Sequence, residues 1–124
     1  MGDRHVGARS AFYDELLIDG ESARGRVRPA HAAALCAGHF PGDPFVPGAY
    51  LAGIMADLAE RLMRNGRASA RLQRVARCWF RARVKPDAEI VVLARRAPRR
   101  RVEAEVRAEG VCAARATLVF GPSP

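Results

Sequence analysis

The sequence predicts an α+β fold in which an antiparallel β-sheet wraps around one central α-helix. Two patterns lead to this prediction: one apolar stretch with helical spacing, and a later series of alternating segments joined by short turns. The 124 residues predict a single domain spanning residues 1–124, and 49% hydrophobic residues suffice for a core. Because only 6% of residues are aromatic and 24 are alanine, small side chains must fill much of that core.

Residues 12–28 predict a pair of strands near the N-terminus. Residues 12–19 form the first, and Gly20-Glu21 turns the chain. In residues 22–28 small or apolar side chains alternate with arginines. An alternation of period two is typical of a strand with one buried face.

A helix is predicted from Pro47 to about Arg64. Proline costs no hydrogen bond in the first turn, and Asn65-Gly66 supplies a left-handed stop. Residues 48–59 are apolar on all sides except at Asp57, so the helix is expected to be enclosed. Five apolar residues form a stripe at helical spacing: Leu51, Ile54, Met55, Leu58 and Leu62.

The second half of the chain predicts about four more strands. Alternation at 77–84, 102–108 and 112–120 and an apolar run at 89–94 mark them, with turns at 98–100 and 109–110. Short turns between successive strands favour an antiparallel meander with one polar face. A sheet around one buried helix is the hotdog architecture. Its uncovered helix flank and exposed sheet edge favour pairing with a second chain.

Residues 38–48, with the sequence GHFPGDPFVPG, are the candidate active-site segment. A histidine, Phe-Pro-Gly, a proline and Pro-Gly stand directly before the apolar helix. This segment resembles the active-site segment of the 3-hydroxyacyl-[acyl-carrier-protein] dehydratases, and the order of elements fits over nearly the whole chain. The resemblance implies dehydration of a 3-hydroxyacyl thioester, carried on acyl carrier protein, to the 2-enoyl thioester in fatty acid or related acyl-chain biosynthesis. It implies no cofactor. A metal site is not expected, because His31 and His39 offer too few ligands.

The resemblance also implies roles for single residues. His39 would be the base that removes a proton from C2 of the substrate. The backbone N–H of Gly48 would stabilise the thioester carbonyl, as the positive end of a helix dipole can. The implied substrate-binding positions are Phe40, Pro41, Gly42, Phe45, Val46, Pro47 and Gly53.

Position 53 departs from the family pattern. In these dehydratases a carboxylate fourteen residues after the histidine protonates the departing hydroxyl, whereas this chain has Gly53. Three explanations are open: Asp57 replaces the acid, a hotdog paralogue supplies it to a catalytically impaired or supporting subunit, or the fold hydrolyses acyl thioesters with Asp43 or Asp57. A purely structural Asp57 is an equally open interpretation.

The net charge of +8 is unevenly distributed, with −3 in residues 1–60 and +11 in residues 61–124. Because acyl carrier proteins are generally acidic, we interpret the basic half as their docking surface, with a solvated face as the alternative. Nucleic acid is not expected as a partner, since no basic helix or RNA-binding aromatic motif accompanies the arginines. The predicted docking residues are Arg95, Arg96, Arg99, Arg100 and Arg101.

The sequence predicts a cytoplasmic protein. Residues 1–10 are polar, which predicts no secretory signal, and no stretch approaches the ~18 apolar residues that cross a membrane. Cys36, Cys78 and Cys112 are odd in number and lack a C-x-x-C pair, as expected for free thiols in a reducing compartment. The expected assembly is a homodimer, a heterodimer with a hotdog paralogue, or a higher oligomer.

Overall fold

Six strands form one antiparallel sheet that packs around a single helix in the computed structural model, which describes residues 13–27, 46–65, 70–85 and 87–121. The strand order is β1-β2-β4-β5-β6-β3, and the helix packs mainly on β4 and β5. This confirms the predicted architecture. In chain order the elements are β1 (Tyr13–Ile18), β2 (Ser22–Val27), α1 (Gly48–Arg64), β3 (Arg71–Phe80), β4 (Ile90–Ala97), β5 (Arg101–Ala108) and β6 (Val111–Gly121).

Among the described residues, helix α1 buries one face against the sheet and exposes part of the opposite flank. Its predicted apolar stripe, from Leu51 to Leu62, is at most 2% exposed. Ala49 and Gly53 lie exposed on the other flank. Among the described residues only the sheet covers the helix, so the expectation that it is enclosed on every side stays a prediction. Within the described ranges, no helix has the length and apolarity required to cross a membrane.

A row of four alanines crosses the buried face of the sheet. Cross-strand pairing links Ala23 to Ala94, Ala94 to Ala104 and Ala104 to Ala116, from β2 through β4 and β5 to β6. All four are buried. Because a methyl group is the smallest side chain that can be packed, this row lets the helix approach the sheet closely. Part of the alanine-rich composition is explained in this way.

Strand β3 begins and ends earlier than predicted. The alternation at 77–84 predicts a strand to Val84, but the strand ends at Phe80. Its pairing with β6 shifts register between Leu72 and Arg74 and again between Val75 and Arg77. These irregularities break the period of two, which conceals the first half of the strand from a sequence pattern.

The turn between β4 and β5 adopts an unusual backbone. Arg99 and Arg100 both have positive φ, of 66° and 59°, a region that costs most residues ~1 kcal/mol. The N–H of Phe120 donates to the carbonyl of Arg100 at 2.8 Å, which ties the turn to the end of β6. The predicted turn at 98–100 is thus confirmed.

Candidate active site

The start of α1 lies in an open cleft of about 220 Å³. The predicted site residues Val46 and Gly48 meet here, with Val46 buried. The rest of the lining carries no motif that marks it as part of a site, and its only sequence signal is the alternating segment at 77–84. These further lining residues are Leu51, Phe80, Arg81, Ala82 and Arg83.

Backbone hydrogen bonds fix the start of the helix in this cleft. The N–H of Val46 donates to the carbonyl of Val84 at 2.8 Å, joining the chain before the helix to the segment after β3. Pro47 is the N-cap residue and contributes no side-chain cap, and the first turn contains no acidic residue. The first N–H groups of a helix have no intrahelical acceptor and carry partial positive charge. An anionic oxygen can therefore be stabilised at this end.

The lining of the cleft combines an aromatic ring with arginine residues. A side chain at Gly48 would come within 3.3 Å of the Phe80 ring, so glycine allows that ring to lie over the helix start. The lining also includes Arg81, whose guanidinium stacks at 4.5 Å on the ring of Trp79, a residue outside the lining. The cleft thus suits a ligand with an apolar part and an anionic part.

Gly53 is exposed on the flank of α1 that faces away from the sheet. A Cβ at this position would have no atom of the described residues within 4 Å. A carboxylate at position 53 would therefore fit without moving any described part of the chain. Nothing in the packing of the described residues requires glycine here.

Asp57 is held by two side chains that share its Oδ2 atom. The hydroxyl of Tyr13 donates to it at 3.0 Å, and Nε of Arg61, one turn along α1, donates at 2.8 Å. Arg61 also lies over the Tyr13 ring at 5.7 Å. These contacts join β1 to the helix and favour a structural role for Asp57.

Tyr13 is the buried member of this network. Its side chain has no exposure, and burial, followed by the neighbouring charge of Asp57, raises its pKa well above the usual range. The phenol therefore stays protonated and donates its hydrogen. Gly25 on β2 makes room for the ring, because a Cβ there would lie 2.7 Å from it. Because the ring that requires this glycine lies on another strand, the residues around Gly25 do not indicate the contact.

We expect Asp57→Asn to lower stability by ~1 kcal/mol without lowering activity per folded molecule. The amide can still accept from Tyr13, but the half-exposed ion pair with Arg61 is lost. Thermal unfolding and specific activity measure the two effects. The matched control is Glu60→Gln, which removes the weaker pair with Arg64 at 3.8 Å and should change stability by less than ~0.5 kcal/mol. A large loss of turnover in Asp57→Asn alone would instead make Asp57 the replacement acid.

Arg96 differs from the other predicted docking residues. Its Nη2 donates to the carbonyl of Leu62 and its Nε to the carbonyl of Gly20, both at 2.7 Å, and Nη1 contacts Sδ of Met63 at 3.4 Å. The guanidinium therefore caps the end of α1 and anchors the β1–β2 turn. This side chain serves the fold and is not available to a docking partner.

The other arginines of the predicted docking cluster lie far from the cleft along the sheet. Phe80 at the cleft pairs with Ala114, whereas Arg100 contacts Phe120, six residues further along β6. Six residues of strand span ~20 Å. The structure therefore does not bring the cluster and the helix start together within one chain. Arg95, Arg99 and Arg100 are exposed, and Arg101 is partly exposed.

Several predicted site residues lie outside the described part of the chain. They are His39, Phe40, Pro41, Gly42 and Phe45. The segment around them ends at Val46, whose backbone position at the cleft is described above. Among the described residues, no three His, Cys, Asp or Glu side chains are grouped so that they could hold a metal ion.

Known proteins with this fold include dehydratases, hydratases and thioesterases. A component of the dehydratase heterocomplex ApeI:P from Xenorhabdus doucetiae aligns with a TM-score of 0.68 and 12% identity, over 97% of each chain. The (R)-hydratase from A. caviae involved in PHA biosynthesis gives 0.64 and 17%, over 84% of this chain and 96% of that one. A thioesterase superfamily protein from Shewanella loihica gives 0.58 and 18%, over 85% and 86%.

Sequence comparison is more specific than the shared fold. Among curated proteins, no sequence matches this chain. Residues 17–116, however, match the ApeI-like family, described as ApeI dehydratase. That range runs from β1 to β6 and includes the histidine segment and the whole of α1. The chain therefore belongs to the ApeI-like dehydratase family.

Proposed function

We propose that the protein takes part in dehydrating a 3-hydroxyacyl thioester, carried on an acyl carrier protein, to the 2-enoyl thioester. His39 accepts the proton from C2, an acid protonates the C3 hydroxyl, and water leaves as the C2–C3 double bond forms. No other reactant is needed. The family match over residues 17–116 is the observation that carries this proposal.

The helix start supports the proposed role of Gly48. As C2 loses its proton, negative charge develops on the thioester oxygen, and a donor fixed in advance stabilises that charge by ~3 kcal/mol. The uncapped first turn of α1 offers such donors in a cleft with an apolar wall formed by Phe80. The acyl chain would lie along that wall and Val46.

The acid of the reaction is proposed to come from another subunit. Gly53 supplies no carboxylate, and Asp57 is occupied by Tyr13 and Arg61. The heterocomplex from Xenorhabdus doucetiae supports a heteromeric assembly by analogy. In such an assembly His39 of this chain works with a carboxylate of a hotdog paralogue.

His39→Ala is expected to lower kcat/KM by ~10²–10⁴, the usual contribution of a positioned general base. The measurement is formation of the 2-enoyl thioester from a carrier-bound 3-hydroxyacyl substrate by the complex with its hotdog partner. His31→Ala is the matched control, because His31 stands outside the motif. Unchanged turnover in the His39 variant would remove this chain from the chemistry and leave it a supporting subunit.

Docking of the carrier is proposed to use the exposed arginines of the β4–β5 region. Replacing Arg99, Arg100 and Arg101 by alanine is expected to raise KM for a carrier-bound substrate by ~10-fold and to spare a small thioester analogue, since rim charges act mainly on encounter. The comparison variant replaces Arg81 and Arg83 at the cleft. If the variant at Arg81 and Arg83 alone raises KM for the carrier-bound substrate, the carrier docks at the cleft. If the β4–β5 variant raises KM equally for the carrier-bound substrate and the small analogue, these arginines form a solvated face.

An acyl thioesterase is the second candidate, favoured by the thioesterase superfamily protein among the similar folds. The two reactions release different products from one substrate. Hydrolysis frees a thiol, which a colorimetric reagent detects, whereas dehydration keeps the thioester and creates an absorbing enoyl group. Thiol release without enoyl formation would replace the dehydratase proposal.

A further inference from the structure

Strand β3 forms one edge of the sheet and is exposed along most of its length. Within the described residues it pairs with β6 alone, so its other side presents backbone N–H and C=O groups. Eight of its ten residues are exposed, all except Leu72 and Trp79. Edge strands of this kind are templates for pairing with another chain.

The face of β3 that continues the buried face of the sheet carries a row of apolar residues that are largely exposed. Cross-strand partners share a face of the sheet, and four apolar residues of β3 are partners of buried apolar residues on β6: Leu72, Val75, Cys78 and Phe80. Even so, Val75 is 47% exposed and Phe80 is 50% exposed. An apolar row continuous with the core, yet open to solvent, is typical of an interface.

The charge along this edge has one sign. Residues 70–85 contain six cations and no carboxylate: Arg71, Arg74, Arg77, Arg81, Arg83 and Lys85. Within the described part of the chain, no ion pair involves Arg71, Arg74 or Arg77. Two copies pairing through β3 would bring both sets together, and like charges opposed across strands destabilise the pairing.

We propose that β3 binds a different chain of the same fold whose own edge strand is rich in Asp and Glu, in preference to a second copy of this chain. The fold of that partner rests on the proposed function, whereas the chemistry of its edge follows from β3. Strand addition would extend the sheet and cover the apolar row, and the acidic side chains would neutralise the arginines. Because Phe80 also lines the cleft, the same partner would close the site.

The double variant Arg74→Glu plus Arg77→Glu provides an acidic edge on an otherwise identical chain. We expect it to bind the wild-type chain at least ~10-fold more tightly than wild type binds itself at ~20 mM NaCl, with the difference shrinking at ~500 mM because salt screens the charges. Sedimentation velocity gives the dissociation constants, and native mass spectrometry separates the mixed dimer from self-dimers. Arg95→Glu plus Arg99→Glu is the matched control, with the same charge change away from β3, and should show no preference.

Two results would overturn the inference. If the wild-type dimer is as tight as the mixed dimer at low salt, β3 binds a second copy of this chain. If no mixture associates, β3 stays unpaired and its arginines act to prevent pairing. If circular dichroism shows that the double variant is unfolded, the self-association of the wild type is measured instead. We expect it to strengthen ~10-fold over the same rise in salt, because salt screens the repulsion between the arginines. Constant or weaker self-association contradicts the proposal. None of these measurements uses enzymatic activity, so a failure of this inference can be distinguished from a failure of the dehydratase proposal.

Discussion

Replacing Gly53 by glutamate is expected to raise the dehydratase activity of the chain, assayed without any paralogue, by ~10²–10⁴, the usual worth of a general acid. The variant returns a carboxylate to the position where the family has one. Gly53 is exposed on the flank of α1 that faces away from the sheet, and a Cβ there would have no atom of the described residues within 4 Å, so the substitution needs no repacking of them. The measurement is enoyl thioester formation by the purified variant.

Two control variants separate the chemistry from stability. Any ordinary residue in place of a helical glycine stabilises the helix by up to ~1 kcal/mol. Gly53→Ala and Gly53→Gln should therefore raise the melting temperature as the glutamate does, but leave turnover at the wild-type level. Equal turnover in all three variants would mean that the loss of the acid is not what limits this chain.

Arg96→Ala is expected to destabilise the fold by ~3 kcal/mol, because hydrogen bonds to charged groups contribute ~1.5–3 kcal/mol each and two partly buried bonds are lost. The variant loses the bonds to the carbonyls of Leu62 and Gly20, which together hold the end of α1 and the β1–β2 turn. Denaturant unfolding measures the change.

Arg95→Ala is the matched control for this prediction. Arg95 precedes Arg96 on β4 but is exposed, so its removal should alter stability by less than ~0.5 kcal/mol. If both variants unfold at the wild-type denaturant concentration, the guanidinium of Arg96 contributes nothing to the fold and returns to the candidate docking residues.

Much of the fold was predictable because local patterns determine it. Strands β2, β5 and β6 follow their alternation, and α1 begins after Pro47 and ends at Arg64 as predicted. The predicted left-handed stop is wrong at Asn65, which has a φ of −59°. β3 was misplaced because two register shifts disturb its period. A pattern of period two cannot report a strand that violates it.

Where the motif lies next to the helix, the sequence indicated that Val46 and Gly48 lie close together, and both line the cleft. Their roles stay predictions. Contacts between distant elements were not predictable, since nothing near Asp57 indicates the Tyr13 hydroxyl. Arg96 is an instructive intermediate case. In the structure it follows buried Val92 and Ala94 at even spacing, whereas the sequence shows only an apolar run before Arg95 and Arg96, which look like a surface cluster.

The alanine row under α1 has a consequence for how this sequence can drift over generations. Ala23, Ala94, Ala104 and Ala116 form one row of cross-strand partners in the core between sheet and helix, so a larger side chain at any of them would have to displace its neighbours there. Overpacking of this kind costs ~1–3 kcal/mol. A displacement of α1 would also move its start, at the cleft where donors must be well placed. Relatives that keep the same chemistry should therefore vary freely on the outer face of the sheet while keeping small residues along this row.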